Sequence, residues 1–215
     1  MSLLLPKPKG NEPRVGIMGG TFDPLHQGHL VTAEEARTNF FLDSVVFVPA
    51  GVPAHKKDQS ITDPEHRYLM TFLAIMNNPY FSISRVEIDS REPSYTIETV
   101  RFFFKVYGHQ TKIFFITGAD AILEILTWKD YQELLETCTF IAASRSGYSL
   151  EKLKDTVEPY YPRIYERVHP MEIPAMAISS TSIRQRVREK RTIKYLTPEP
   201  VEQYIYKNRL YLEEK

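Results

Sequence analysis

Val15-Gly16-Ile17-Met18-Gly19-Gly20-Thr21-Phe22-Asp23-Pro24-Leu25-His26-Gln27-Gly28-His29 is the stretch from which the rest of the chain can be read. Val15 to Met18 is a short apolar run closed by two glycines, the pattern of a buried strand leaving its sheet. Gly28 to Phe40 then reads as a helix. The same alternation recurs: Val45 to Val48, Phe81 to Val86, Lys112 to Thr117, Thr139 to Ala143 and Val168 to Ile173 read as strands, while Pro64 to Met76, Tyr95 to Val106 and Tyr131 to Glu136 read as helices. Such alternation implies a doubly wound α/β fold, a parallel sheet with helices on both faces and ligands at the carboxyl ends of the strands. Asp63 before Pro64 is a helix start, and Ser182 with Gln185 reads as a cap for a further helix through Lys190.

The chain has 215 residues, enough for one good core. Residues 1–13 read as a tail and 14–215 as a single domain; Pro159 and Pro162 break any helix in the tyrosine-rich stretch after residue 144. Lysine plus arginine and aspartate plus glutamate both number 27, so no global field draws the protein to nucleic acid or an anionic membrane. Any anion must be held by a local set of donors. The basic stretch Arg184 to Lys194 reads as a solvated helix face. A single cysteine, Cys138, excludes an internal disulfide, reads as a core residue and is compatible with a cytoplasmic location. No apolar run reaches the roughly 18 residues that span a bilayer, and three leucines before Pro6 are too few for a secretory segment.

The loop after the first strand carries the chemistry. Adjacent glycines let backbone amides approach an anion, and His26 and His29 share one face of a helix that begins near His26. Imidazoles beside unpaired helix amides form a donor cluster for phosphate oxygens. A structural turn or a metal pair are the other readings, although a zinc site needs a third protein ligand that no nearby spacing supplies. His66, His109 and His169 read as structural. Asp120, after a strand and Gly118, can accept bonds from a ribose or cap a helix, and Trp128 can be core or a stacking platform.

Gly19 to His29 resembles the signature of the nucleotidyltransferase superfamily, whose H-x-G-H histidines contact the triphosphate of ATP. Ile178-Ser179-Ser180-Thr181-Ser182-Ile183-Arg184 resembles the I-S-S-T-x-I-R pattern of the nicotinate mononucleotide adenylyltransferases. Pro53 to Lys56, Arg91 to Thr96, Gly118 to Asp120 with Trp128, and Phe140 to Arg145 resemble further segments of that family, and the likeness runs from Val15 to Arg209. The region 148–167 is longer than the pattern.

The resemblance implies a Rossmann-like nucleotidyltransferase fold and transfer of the adenylyl group of ATP to nicotinate mononucleotide, with release of pyrophosphate. It implies that His26, His29 and Arg184 are catalytic. Gly19, Gly20, Thr21, Phe22, Gly118, Asp120, Ile178, Ser179, Ser180 and Thr181 would serve ATP. His55, Lys56, Tyr95, Thr96, Trp128 and Arg145 would serve the mononucleotide, with Trp128 on the pyridine ring and Arg145 on its phosphate. Mg²⁺ would bridge phosphate oxygens without a dedicated protein site, and a homodimer is plausible by family likeness. The competing readings are adenylation of nicotinamide mononucleotide and a non-catalytic nucleotide-binding regulatory module.

Overall fold

The strands alternate strictly between two buried faces, as a sheet covered by helices on both sides requires. Val15, Ile17, Val46, Val48, Ile113, Phe115, Phe140 and Ala142 join one apolar cluster. Their neighbours Met18, Val45, Phe47, Phe114, Ile116, Ile141 and Ala143 join the other. The computed structural model describes residues 12–53, 61–90, 92–145, 152–174 and 176–212.

The chain runs through β1 (Arg14–Gly20), α1 (Gln27–Asn39), β2 (Ser44–Pro49), β3 (Val52–Pro53), α2 (Pro64–Ile75), β4 (Phe81–Ile83), β5 (Pro93–Ser94), α3 (Thr96–Tyr107), β6 (Lys112–Gly118) and α4 (Ala119–Leu123). It continues through α5 (Tyr131–Thr137), β7 (Thr139–Arg145), α6 (Lys152–Thr156), α7 (Ile164–Arg167), β8 (Val168–Ile173), α8 (Ser180–Arg188) and α9 (Glu199–Lys207). Six strands form one sheet in the order β4-β2-β1-β6-β7-β8, and every neighbouring pair in it is parallel. The doubly wound fold expected from the sequence is the fold observed.

Helices α1, α2, α8 and α9 cover one face through Ala33, Ala36, Met70, Ala74, Ile183, Val187, Val201 and Ile205. Helices α3 to α7 cover the other through Ile97, Val100, Phe103, Ile122, Leu134, Leu153 and Ile164. Asp63 caps α2 as read, accepting from the Glu65 amide at 2.9 Å.

Three local expectations need correction. β4 stops at Ile83 and does not reach Val86, because the chain turns there, with the Asp89 amide bonded to the Arg85 carbonyl at 2.8 Å. Ser182 is not the cap of α8: Ser179 is, and its Oγ accepts from the Ser182 amide at 3.1 Å. Pro159 and Pro162 do interrupt helix, but the short helices α6 and α7 stand on either side. No helix among the described residues is long and apolar enough to cross a membrane.

Candidate active site

β1 lies between β2 and β6. From β1 the chain winds outward to β4, then returns to β6 and winds the other way, so the loops leaving β1 and β6 diverge. The crevice between them is where open parallel sheets bind ligands. Thr21, Asp23, His26 and His29 enter it from the loop after β1, and Asp120 enters from the first turn of α4 after β6. Ile178, Ser179, Ser180, Thr181 and Arg184 close it from the start of α8, enclosing about 490 Å³. Two distant stretches singled out in the sequence thus form one cleft.

Specific bonds hold the two stretches together. A guanidinium nitrogen of Arg184 donates to the Asp23 carbonyl at 2.7 Å, and Ser180 Oγ donates to the Pro24 carbonyl at 2.9 Å. Thr197 Oγ1 donates to the Leu25 carbonyl at 2.7 Å, and the Gln27 amide donates to the Leu196 carbonyl at 3.0 Å. Each carbonyl of the bend from Asp23 to Leu25 therefore has a donor from the C-terminal part of the chain.

His26 is the N-cap of α1 and His29 lies in its first turn. Their rings stack with centroids 3.7 Å apart, and the His26 amide donates to His29 Nδ1 at 3.2 Å. Because Nδ1 accepts, the neutral His29 ring carries its proton on Nε2. Burial holds the pKa of His29 well below its ordinary value, and neighbouring His26 adds to the effect. At neutral pH His29 is an uncharged donor at the positive end of a helix.

Gly19 and Gly20 are the last residues of β1, at the strand end where the sequence puts them. A Cβ on Gly20 would stand 2.7 Å from the ring of Phe22, which is buried at φ 47° and meets His29 edge-on at 5.1 Å. Gly20 makes room for the side chain that backs His29. Gly118, not Asp120, is the N-cap of α4, and a Cβ there would lie 2.4 Å from Asp120 Oδ1.

A second hollow of about 290 Å³ includes Ser94, Tyr95, Glu98 and Lys129 in its lining. Tyr95 is the N-cap of α3 and Thr96 its first residue, so free helix amides open here. Ser94 Oγ accepts from the Gly51 amide at 3.1 Å, and the Lys129 ammonium lies 4.8 Å from the centre of the Tyr95 ring. Burial raises the pKa of the Glu87 carboxyl, which accepts from Thr99 Oγ1 at 2.6 Å. Half-buried Trp128 packs edge-on against Phe115 at 6.2 Å and Phe140 at 6.1 Å, so it contributes to the core. His55 and Lys56 lie outside the described residues. Arg145 ends β7 opposite Ile173, and its side chain lies outside the described ones.

A family model described as Cytidylyltransferase-like matches residues 17–186. A protein of Moorella thermoacetica named "probable nicotinate-nucleotide adenylyltransferase" is 57% identical over 198 residues, 92% of this chain and 91% of that one. One of the same name from a Thermoanaerobacter species is 52% identical, with 95% of this chain and 97% of that one aligned. The chain belongs to the nicotinate-nucleotide adenylyltransferase family. A solved Plasmodium falciparum nicotinic acid mononucleotide adenylyltransferase, complexed with NaAD, superposes with a TM-score of 0.74 at 20% identity over 93% of this chain and 97% of that one. This likeness bears on the fold.

For an adenylyltransferase of this family, one structural residue stands out that sequence reading missed. Arg67 is buried, and its guanidinium donates to the carbonyls of Thr62 at 2.8 Å, Thr21 at 2.9 Å and Gly51 at 3.1 Å. One cation thus joins the loop after β1, the chain after β2 and the approach to α2. The remaining histidines lie outside the cleft: His66 Nδ1 is 2.8 Å from the Tyr204 hydroxyl, His109 stacks on Phe104 at 5.6 Å, and His169 lies 6.1 Å from Phe40. Cys138 is buried, and burial pushes its thiol pKa up.

Proposed function

We propose that this enzyme transfers the adenylyl group of ATP to nicotinate mononucleotide, giving nicotinate adenine dinucleotide and pyrophosphate. The observation that carries the reading is the convergence of two helix N-termini, those of α1 and α8, on one cleft at the switch point of the sheet. Each turns the positive end of a helix dipole toward the cleft, which suits a polyphosphate.

An oxygen of the mononucleotide 5′-phosphate attacks the α-phosphorus of ATP. As that bond forms, the bond from the α-phosphorus to the oxygen bridging to the β-phosphorus breaks, and both electrons leave with pyrophosphate. No covalent enzyme intermediate is required, so the rate rests on alignment and charge stabilisation. His29 Nε2–H, His26 and the Gly28 amide hold the β- and γ-phosphates. The hydroxyls of Ser179 and Ser180 are engaged with Ser182 and Pro24. Ser180 thus spends its proton on the loop. Ser179, which only accepts, still has its own to give to a phosphate oxygen beside the first amides of α8. Arg184 fixes the loop through the Asp23 carbonyl. Asp120 meets the ribose of ATP.

Mg²⁺ fits this donor set as an ion carried by the nucleotide, where it would offset the charge gathering on the phosphates. The Asp23 carboxylate is engaged by the Thr62 amide at 3.1 Å and the Tyr211 hydroxyl at 2.7 Å, leaving Asp120 as the cleft carboxylate free of such bonds among the described residues. Among those residues no group of three or more His, Cys, Asp or Glu side chains is arranged to hold a metal.

Beside the other hollow, the start of α3 at Tyr95 and Thr96 carries the partial positive charge of a helix N-terminus, which suits the full negative charge of nicotinate and gives nothing comparable to neutral nicotinamide. Trp128 borders the pyridine ring, and Arg145, with His55 and Lys56, meets the mononucleotide phosphate. The test is pyrophosphate release with ATP and Mg²⁺ and each mononucleotide in turn. Faster turnover of the acid at equal concentration is expected; preference for the amide overturns the substrate, and no release with either overturns the reaction.

A further inference from the structure

Asp23 sits at the bend of the catalytic loop and is 4% exposed, yet it faces no cation at bonding distance among the described residues. Its Oδ2 accepts from the Thr62 amide at 3.1 Å. Its Oδ1 accepts from the hydroxyl of Tyr211, 188 residues further along the chain, at 2.7 Å. A buried carboxylate with a missing donor costs about 1–3 kcal/mol or more, so the bonds from Thr62 and Tyr211, with the charge of nearby Arg67, together fix where Asp23 rests.

The C-terminal segment is built to deliver that hydroxyl. α9 lies on α2, with the Tyr204 hydroxyl on His66 Nδ1 at 2.8 Å. Beyond α9 the chain turns sharply, with Arg209 at φ 53° and Tyr211 at φ 65°. Side chains other than glycine adopt that left-handed backbone at a cost of about 1–3 kcal/mol, and it persists where the surroundings demand it. Burial, and then the charge of Asp23, push the Tyr211 phenol pKa up, so the hydroxyl keeps the proton it donates. Arg184 meanwhile grips the backbone carbonyl of the same Asp23. One residue of the loop is thus fixed at its carbonyl by α8 and at its carboxylate by the chain's end.

We infer that Tyr211 is a positioning residue for the ATP half of the site. By orienting the Asp23 carboxylate it sets the bend from which His26, His29 and the first turn of α1 follow. It touches neither substrate nor reacting atoms. The inference rests on the adenylyl-transfer reading for its rate readout, so a binding readout accompanies it.

The experiment is a double-mutant cycle of Tyr211→Phe and Asp23→Ala. Phenylalanine keeps the packed ring and removes only the hydroxyl, and near-ultraviolet circular dichroism checks that the fold persists. The measurements are kcat, the KM of each substrate, and the affinity for α,β-methylene ATP by calorimetry. Tyr211→Phe is expected to lower kcat and analogue affinity about three- to tenfold, as for one lost hydrogen bond, with the mononucleotide KM unchanged. Added to Asp23→Ala, which leaves the Tyr211 hydroxyl no side-chain acceptor at position 23, it is expected to lower them little further. Losses that multiply in the double variant overturn the inference. So does a Tyr211→Phe enzyme with a lower melting temperature but kcat and analogue affinity within twofold of wild type. If wild type releases no pyrophosphate, the adenylyl-transfer reading fails, while the affinity cycle still decides the role of Tyr211.

Discussion

His26 donates its backbone amide to Nδ1 of His29 at 3.2 Å while their rings stack 3.7 Å apart, so one histidine selects the tautomer of the other. Burial, and then the neighbouring imidazole of His26, hold the pKa of His29 down.

Stability should therefore depend on pH through His29. In the unfolded chain an imidazole takes its proton near about pH 6.5; in the folded chain His29 resists until a lower pH. The unfolded state binds more protons in that window, so the contribution is complete above about pH 6.5 and is lost as pH falls toward the folded pKa, by up to about 1.4 kcal/mol per unit. Urea midpoints at about pH 7.5 and about pH 5.5 should show a smaller acid loss in His29→Asn than in wild type. Equal losses would remove His29 as the cause.

Two glycines make contrasting predictions. In Gly118→Ala the new Cβ meets the end of a side chain, Asp120 Oδ1 at 2.4 Å, which can swing away. The KM for ATP should rise several-fold with little change in stability. In Gly51→Ala the Cβ meets the Glu87 carbonyl oxygen at 2.0 Å, which is backbone. Stability should fall by about 1–3 kcal/mol or more, as read from urea denaturation.

Arg67→Met should be among the costly substitutions. It keeps an apolar stem but strips donors from the carbonyls of Thr21, Gly51 and Thr62. Leaving such acceptors unpaired costs about 1–3 kcal/mol each where water cannot reach. Denaturation should show a loss of about 3 kcal/mol or more, and Arg67→Lys should recover only part of it, since an ammonium cannot reproduce the guanidinium fork.

Trp128→Ala separates a platform from a core residue. Loss of its edge-on contacts with Phe115 and Phe140 should cost stability, about 3 kcal/mol at most for a half-buried ring. The KM for the mononucleotide should rise at least tenfold more than that for ATP. Equal increases would leave Trp128 with the core alone.

The fold was legible wherever the apolar period was strong. All six strands of the main sheet and the helices at α1, α2, α3 and α5 are read from buried alternation, because β1, β2, β6 and β7 are covered on both faces. What escaped has a local reason. β3 and β5 have two residues each, too few to show a period. α4 is a single short turn after β6. At α8, Ser179, Ser180, Thr181 and Ser182 can all cap, and Gln185 favoured the wrong one.

In the site, contiguous stretches were legible and convergent ones were not. His26 and His29 lie within one short run and gather with Asp120 and the Ile178 to Arg184 stretch as expected. Arg67 looks like any arginine in an amphipathic helix, because its three carbonyl partners come from separate loops. Tyr211 finds Asp23 only through the packing of α9 on α2.

The most direct measurement is the steady-state rate of pyrophosphate release by His29→Ala with ATP, Mg²⁺ and nicotinate mononucleotide, alongside a circular dichroism spectrum. Loss of a donor to the departing pyrophosphate should lower kcat about 100- to 1000-fold while the spectrum stays that of wild type. A folded His29→Ala enzyme that turns over within about threefold of wild type, far short of the loss of one transition-state donor, would contradict the phosphate-holding role of the α1 histidines.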